Sequence, residues 1–333
     1  MKILRIITGL TLVFCLLFTL FIGKNKISES EVNNKPQEYK GILTMWQIDG
    51  FEGGTGSRKQ FLLKVARAFE KANDGVLIMV TTQTNSGAME SLSQGKIPDI
   101  ISYSNGTDIL KYLTKINVDR TISSCQIADK TYGTAWCRGG YVLISNPNLI
   151  EEVFPENKIE NLLVSKNEYT QPLTALTFEN IEVERIEEKE PMDAYIQFVS
   201  GKTPYFLGTQ RDLVRLNNRG MSYNAYPLKE FNDLYQYVSV TSTNQLKKVY
   251  AEKFIEYLVS DKVQHKLSEI KMFSEYVVVD YDEENYQKMQ SITNFRRLSA
   301  FSSQAELKEL ERISALYLSG KSEYINKIKN MLV

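Results

Sequence analysis

The sequence predicts an α/β protein of two lobes. Strand and helix signals alternate along its first half, one strand-to-helix junction design recurs at two distant places, and 333 residues are enough for two modest cores. GILTMWQI, Gly41–Ile48, alternates in the manner of a strand, and Ser57 opens a helix whose Phe61, Leu62, Val65 and Phe69 share one face. GVLIMVTT (Gly75–Thr82) is the next strand, Ser86–Gln94 the second helix, IPDIISYS (Ile97–Ser104) the third strand and Asp108–Lys115 the third helix. This βαβαβα order implies a parallel sheet covered on both faces. GGYVLISN, Gly139–Asn146, reads as a strand leaving that lobe. From there to about Ser239 the pattern weakens into a charged stretch, ENIEVERIEEKEP, and a strand, TPYFLGT. A helix over Asn244–Leu267, with Val249, Phe254, Tyr257 and Leu258 as apolar stations, returns to the first lobe. Helices at Glu283–Met289, Ser303–Tyr317 and Tyr324–Met331 finish the chain. The expected division is therefore residues 41–145 with 240–333 as lobe 1, and 146–239 as lobe 2.

The N-terminus carries a targeting pattern. Lys2 and Arg5 precede an uncharged run from Ile6 to Gly23, with Lys24 and Lys26 beyond it. Residues 1–24 thus read as a secretory signal or an uncleaved membrane anchor, and residues 25–40 as a polar tether, which places the rest of the chain outside the cytoplasm. No small-x-small cleavage site follows the apolar run, and the residues before Cys15 read LVF. A retained anchor or an atypical cleavage is expected.

Composition removes several function classes. Lys+Arg and Asp+Glu are equal at 40 each, whereas a nucleic-acid binder shows a basic excess. His265 is the only histidine, so zinc sites and histidine-based triads lack parts, and no metal or cofactor is expected. In an oxidising compartment Cys125 and Cys137 form either a disulfide or two unrelated buried thiols.

Glycines crowd the junction between the first strand and its helix. Gly53, Gly54 and Gly56 permit positive φ and leave room for a ligand to approach backbone N–H groups, and Ser57 with Gln60 has the spacing of a capping box. Ser57, rather than Lys, follows the last glycine, so a nucleotide phosphate loop is excluded; GKT at Gly201–Thr203 fails as well, because Ile196 stands where the earlier glycine would be. The second junction, TPYFLGTQRDLVRL, repeats the design with Thr209 and Asp212, and puts Arg211 in the first turn of a helix as a donor fork.

Four blocks, WQIDGFEGGTGSRKQFL, GKIPDIISYSNG, WCRGGYVLISN and FVSGKTPYFLGTQRDLVRL, resemble in order the bacterial extracellular solute-binding proteins of family 1, the receptors of ATP-driven importers for sugars. The resemblance spans Gly41–Phe273. It implies a type II periplasmic-binding-protein fold, two α/β lobes joined by crossover strands with a ligand cleft between them. It also implies a small-molecule solute, most readily a carbohydrate, and delivery by a monomer to ABC permease subunits in the membrane. The chain departs from such receptors in being shorter around Glu151–Glu190 and in lacking a clear lipobox.

Position along the strands then nominates the pocket. Trp46 and Asp49 end the first strand, Glu52 and Arg58 flank its loop, Tyr103 ends the third strand, and Trp136, Arg138 and Tyr141 surround the glycine pair at the crossover. With Arg211 they supply aromatic faces for a pyranose and charged forks for its hydroxyls. The alternative is an anchored accessory or sensor protein of the same fold. A surface hydrolase is disfavoured, since neither a Gly-x-Ser-x-Gly elbow nor a usable histidine is present.

Overall fold

The computed structural model describes residues 38–150, 158–179 and 181–333, and residues 40–333 form one compact unit. The leader of residues 1–24, most of the tether and Cys15 lie outside the described residues. No helix among the described residues is long and apolar enough to cross a membrane.

In chain order the first elements are β1 (Gly41–Ile48), α1 (Arg58–Glu70), β2 (Val76–Gln83), α2 (Asn85–Ser93), β3 (Ile100–Tyr103), the short hairpin β4 (Gln126–Ile127) and β5 (Lys130–Thr131), and β6 (Thr134–Arg138). The middle holds β7 (Tyr141–Ser145), β8 (Lys158–Ser165), α3 (Pro172–Thr177), β9 (Glu182–Lys189), α4 (Pro191–Val199), β10 (Tyr205–Thr209), α5 (Gln210–Arg219) and β11 (Asn224–Pro227). β12 (Tyr235–Val240), α6 (Gln245–Leu258), α7 (Asp261–Gln264), α8 (Glu284–Ser291), α9 (Gln304–Leu318) and α10 (Ile325–Asn330) complete the chain.

These strands build two five-stranded sheets, ordered β2-β1-β3-β12-β6 and β11-β7-β10-β8-β9. In the first, β1 pairs parallel with β2 and β3, as the alternating pattern implies, but β12 inserts antiparallel between β3 and β6 and makes the sheet mixed. In the second, β8 is parallel to β9 and β10, and β7 runs antiparallel to β10 and β11. The chain changes sheets at Gly139–Gly140 and again between Pro227 and Tyr235, so β7 belongs to the second sheet and β12 to the first. These crossings precede the expected boundaries at 145/146 and 239/240. A further return follows: α9 packs on α3, with Thr174 Oγ1 and Ser314 Oγ 2.9 Å apart, and so covers the second sheet rather than the first.

Local signals explain most elements and two departures. Asp108–Lys115 supplies only a single 3₁₀ turn, Leu110–Tyr112. The helix expected over Asn244–Leu267 stops at Leu258, and Ser260, in extended conformation, starts α7 before a 3₁₀ stretch from His265 to Ile270. His265 is exposed, with Nδ1 2.7 Å from the Asp261 carbonyl. Cys125 and Cys137 are both free and buried, which settles the two readings in favour of buried thiols. Burial raises both thiols well above their ordinary range.

Two buried acids sit beneath the second sheet's helices. Asp233 accepts a 2.7 Å bond from the Tyr141 hydroxyl but leaves Oδ2 unpartnered, and burial pushes its carboxyl up to about 7. Glu311 on α9, with Lys166 Nζ 3.5 Å away as its counter-ion, is raised by burial to about 8. Carboxyls of an unfolded chain titrate near ~4. Across the interval from there to the folded values the unfolded chain releases protons that the folded chain keeps, so stability falls as pH rises from ~4 to ~8. Urea unfolding at about pH 5 and about pH 8 is expected to show this loss, and Asp233→Asn with Glu311→Gln to flatten it.

Candidate functional site

The loop after β1 forms one wall of a cavity of about 710 Å³, lined by Asp49–Gly53 and Gly56–Arg58 from the first sheet's side. Opposite stand residues that follow strands of the second sheet: Asn167, Glu168 and Tyr169 after β8, Glu190 after β9, and Arg211 after β10. Both sheets thus present strand ends to one cavity, the usual ligand position in α/β folds.

Close packing dictates two of the glycines here. A Cβ on Gly54 would lie 2.1 Å from the Lys271 carbonyl oxygen, and one on Gly50 would lie 2.7 Å from Ser104 Cβ. Only Gly56 of the loop takes a positive φ, +62°. Two of the loop's amides are in use: Gly54 N–H points at Met272 Sδ, 3.2 Å, and Thr55 N–H donates to the Ile270 carbonyl, 2.8 Å. Ser57 is the residue before α1, but its side chain makes no cap bond, so the expected capping box with Gln60 does not form. At the second junction the box is complete, with Thr209 and Asp212 bonded reciprocally.

Arg58 holds the first wall. It is 6% exposed, pairs through Nε with Asp49 at 2.8 Å, donates Nη2 to the Phe51 carbonyl and covers the Phe51 ring at 4.4 Å, while its Nη1 has no partner.

The first two turns of α5 reach across to that wall. Arg211 Nη1 donates to the Gly54 carbonyl at 2.6 Å. Arg215, one turn further on, grips Glu52 with two bonds of 2.6 and 2.9 Å and also donates to Asp212 at 3.0 Å. Asp212 is fully buried, and that burial lifts its carboxyl to about 6 in spite of the Thr209 amide and Arg215. From the β8 end, Asn167 Nδ2 donates to the Gly50 carbonyl at 3.2 Å. At the base of the cleft Gln210 ties the crossover, accepting from Gly140 N–H at 2.9 Å.

Of the nine residues nominated from the sequence, Asp49, Glu52, Arg58 and Arg211 line this cavity. The other five do not. Trp46, within β1 and partly buried, packs on the cluster of Ile101, Ala88 and Leu92. Tyr103 is buried against Tyr237, ring centroids 5.6 Å apart, and its hydroxyl meets Ser239. Trp136 stacks on Phe61 at 5.8 Å and donates Nε1 to Ser102. Arg138 is wholly buried on Glu275, and Tyr141 bonds Asp233 and the Gln171 amide. Each sits inside a strand or at its end, away from the cavity, and all but Trp46 are fully buried.

Sequence reasoning passed over Arg215, Asn167, Glu168, Tyr169 and Glu190. Arg215 had a usable signal, lying four residues after Arg211 on one helix face. The others follow β8 and β9, which carry no clean strand pattern.

Comparison with known proteins places the architecture. No protein-family model matches the chain, and no curated protein sequence matches it. Solved structures do. The sugar-binding protein MalE from Xanthomonas citri superposes with a TM-score of 0.61 at 12% identity, covering 87% of this chain and 96% of its own. The GacH receptor of Streptomyces glaucescens, solved unliganded and with acarbose, gives 0.59 at 13% identity over 85% and 94%. Iron-bound HitA from Pseudomonas aeruginosa gives 0.56 at 13% identity over 82% and 99%. The chain has the type II periplasmic-binding-protein fold.

Proposed function

We propose that this chain is an extracytoplasmic solute-binding receptor of an ABC importer. It takes a small hydroxyl-rich solute, of the carbohydrate class, between its two lobes and hands it to membrane permease subunits. One observation carries the reading: the cavity is walled by strand ends of both sheets, so a solute in it touches both lobes at once. A ligand that bridges two lobes stabilises the closed arrangement by its differential affinity, and closure is the form a permease can recognise. Carboxylates and guanidinium groups in the lining suit hydroxyl recognition. The role is binding rather than hydrolysis, in keeping with the receptor and sugar-binding neighbours. Calorimetry of the full chain against sugars, polyols, amino acids and peptides tests it. Saturable heat from one class supports the reading, and silence from all of them defeats it.

A further inference from the structure

We infer that the solute carries a protonated amine beside its hydroxyl groups; the inference rests on the cleft being the solute site. Three features of the lining lead to it.

Two of the three guanidinium groups at the cleft are already ion-paired. Arg58 is ion-paired with Asp49, Arg211 is bound to the Gly54 carbonyl, and Arg215 is shared by Glu52 and Asp212. Two amides of the loop, Gly54 N–H and Thr55 N–H, are spent on Met272 Sδ and the Ile270 carbonyl. Only Arg211 lacks a carboxylate partner among these three, so the lining sets one unneutralised guanidinium against four carboxylates, Asp49, Glu52, Glu168 and Glu190.

The negative charges are not all committed. Glu190, at the start of α4, makes no side-chain cap bond and has no cationic partner among the described residues. Glu168 accepts from Gln304 Nε2 at 2.7 Å, a neutral donor, and likewise has no cation beside it among the described residues. Both stand on the second lobe's wall of the cavity. Two carboxylates on one wall of a cleft, unneutralised by the protein, favour a ligand that brings the positive charge.

Arg58 supplies the other half. Its side chain lines the opposite wall, is nearly all buried, and keeps Nη1 without an acceptor. A buried donor left in this way is satisfied by a ligand oxygen, which a hydroxyl provides. Tyr169 is the one ring of the lining not covered by Arg58: the Phe51 ring is, and both tryptophans point elsewhere. Polar contacts, with Tyr169 as the remaining ring, must then carry recognition. The chemical class that meets all of this is a hydroxyl-bearing amine, such as an amino sugar.

Calorimetry of the full chain with glucosamine, N-acetylglucosamine, glucose, putrescine and 1,4-butanediol separates the terms. Glucosamine is expected to bind roughly 10-fold or more tightly than its two neutral counterparts, the preference shrinking with added salt and in Glu190→Gln. Putrescine binding without butanediol binding keeps the amine inference and removes the carbohydrate class. Glucose or N-acetylglucosamine binding as tightly as glucosamine overturns the inference while the receptor reading stands. No heat from any of the five overturns the amine inference, and the receptor reading is then decided by the wider panel of sugars, polyols, amino acids and peptides.

Discussion

Replacing Arg138 by methionine is expected to cost the fold about 3–5 kcal/mol, the range for removing one partner of a buried ion pair. The guanidinium is fully buried, with Glu275 Oε1 2.7 Å from Nε, and its Nη2 reaches the carbonyls of Met289, Gln290 and Ile292 at 3.3, 3.2 and 2.7 Å. The Phe273 and Phe295 rings each lie 5.1 Å from it. Methionine fills the volume but leaves three buried carbonyls without this donor. It also leaves Glu275 dependent on Arg297 alone for charge. Because β6 ends at Arg138 and the first crossover begins there, the loss falls where the two sheets join. Lysine should restore little, since an ammonium lacks the planar fork that serves several carbonyls and a carboxylate together. Chemical denaturation of both variants decides the matter, and a loss under about 1 kcal/mol for the methionine variant would assign Arg138 only a surface-like role.

Arg215→Ala is expected to act on the cleft itself. The Glu52–Arg215 pair is the most extensive side-chain bridge between the walls, but Glu52 keeps 36% exposure, so solvent screening limits it to about 1–2 kcal/mol of closing free energy. That corresponds to a shift of roughly 5- to 30-fold from closed toward open, with a matching loss of solute affinity. A second effect falls on Asp212, which is buried and loses its counter-ion. Its carboxyl should rise further above the present value of about 6. Glu52→Gln removes the bridge while leaving Arg215 on Asp212, and so separates the two effects. An affinity unchanged in both variants would mean that the bridge does not bias closure.

The residues that could be read in advance and those that could not differ for physical reasons. The β1–α1 and β10–α5 junctions were legible because alternation and glycine placement are local, with capping chemistry correct only at the second, and both junctions do face one cavity. β9 was not, because EVERIEEK is an edge strand whose outward positions are charged: Val183 is buried, while Glu182, Glu184, Arg185, Glu187 and Glu188 are exposed. Its charges make good sense as protection of an open edge, but in sequence they look like a solvated loop. The placement of α9 on α3 was invisible for another reason, since it depends on contacts over a hundred residues apart, such as Thr174 with Ser314. Aromatic richness suggested pocket walls. The structure instead uses Tyr103, Trp136, Tyr141, Tyr235 and Tyr237 as interior packing with their polar atoms internally bonded.

The most direct test of the two-lobe account is the distance between spin labels at Arg67→Cys on α1 and Asp193→Cys on α4, two exposed positions on opposite sides of the cleft. It would be recorded for the full chain alone, with the tightest binder of the calorimetric panel, and in the Arg215→Ala background. The account predicts a shorter and narrower distribution with the binder, and a longer and broader one in the variant. Distributions indifferent to both would contradict closure on a shared solute.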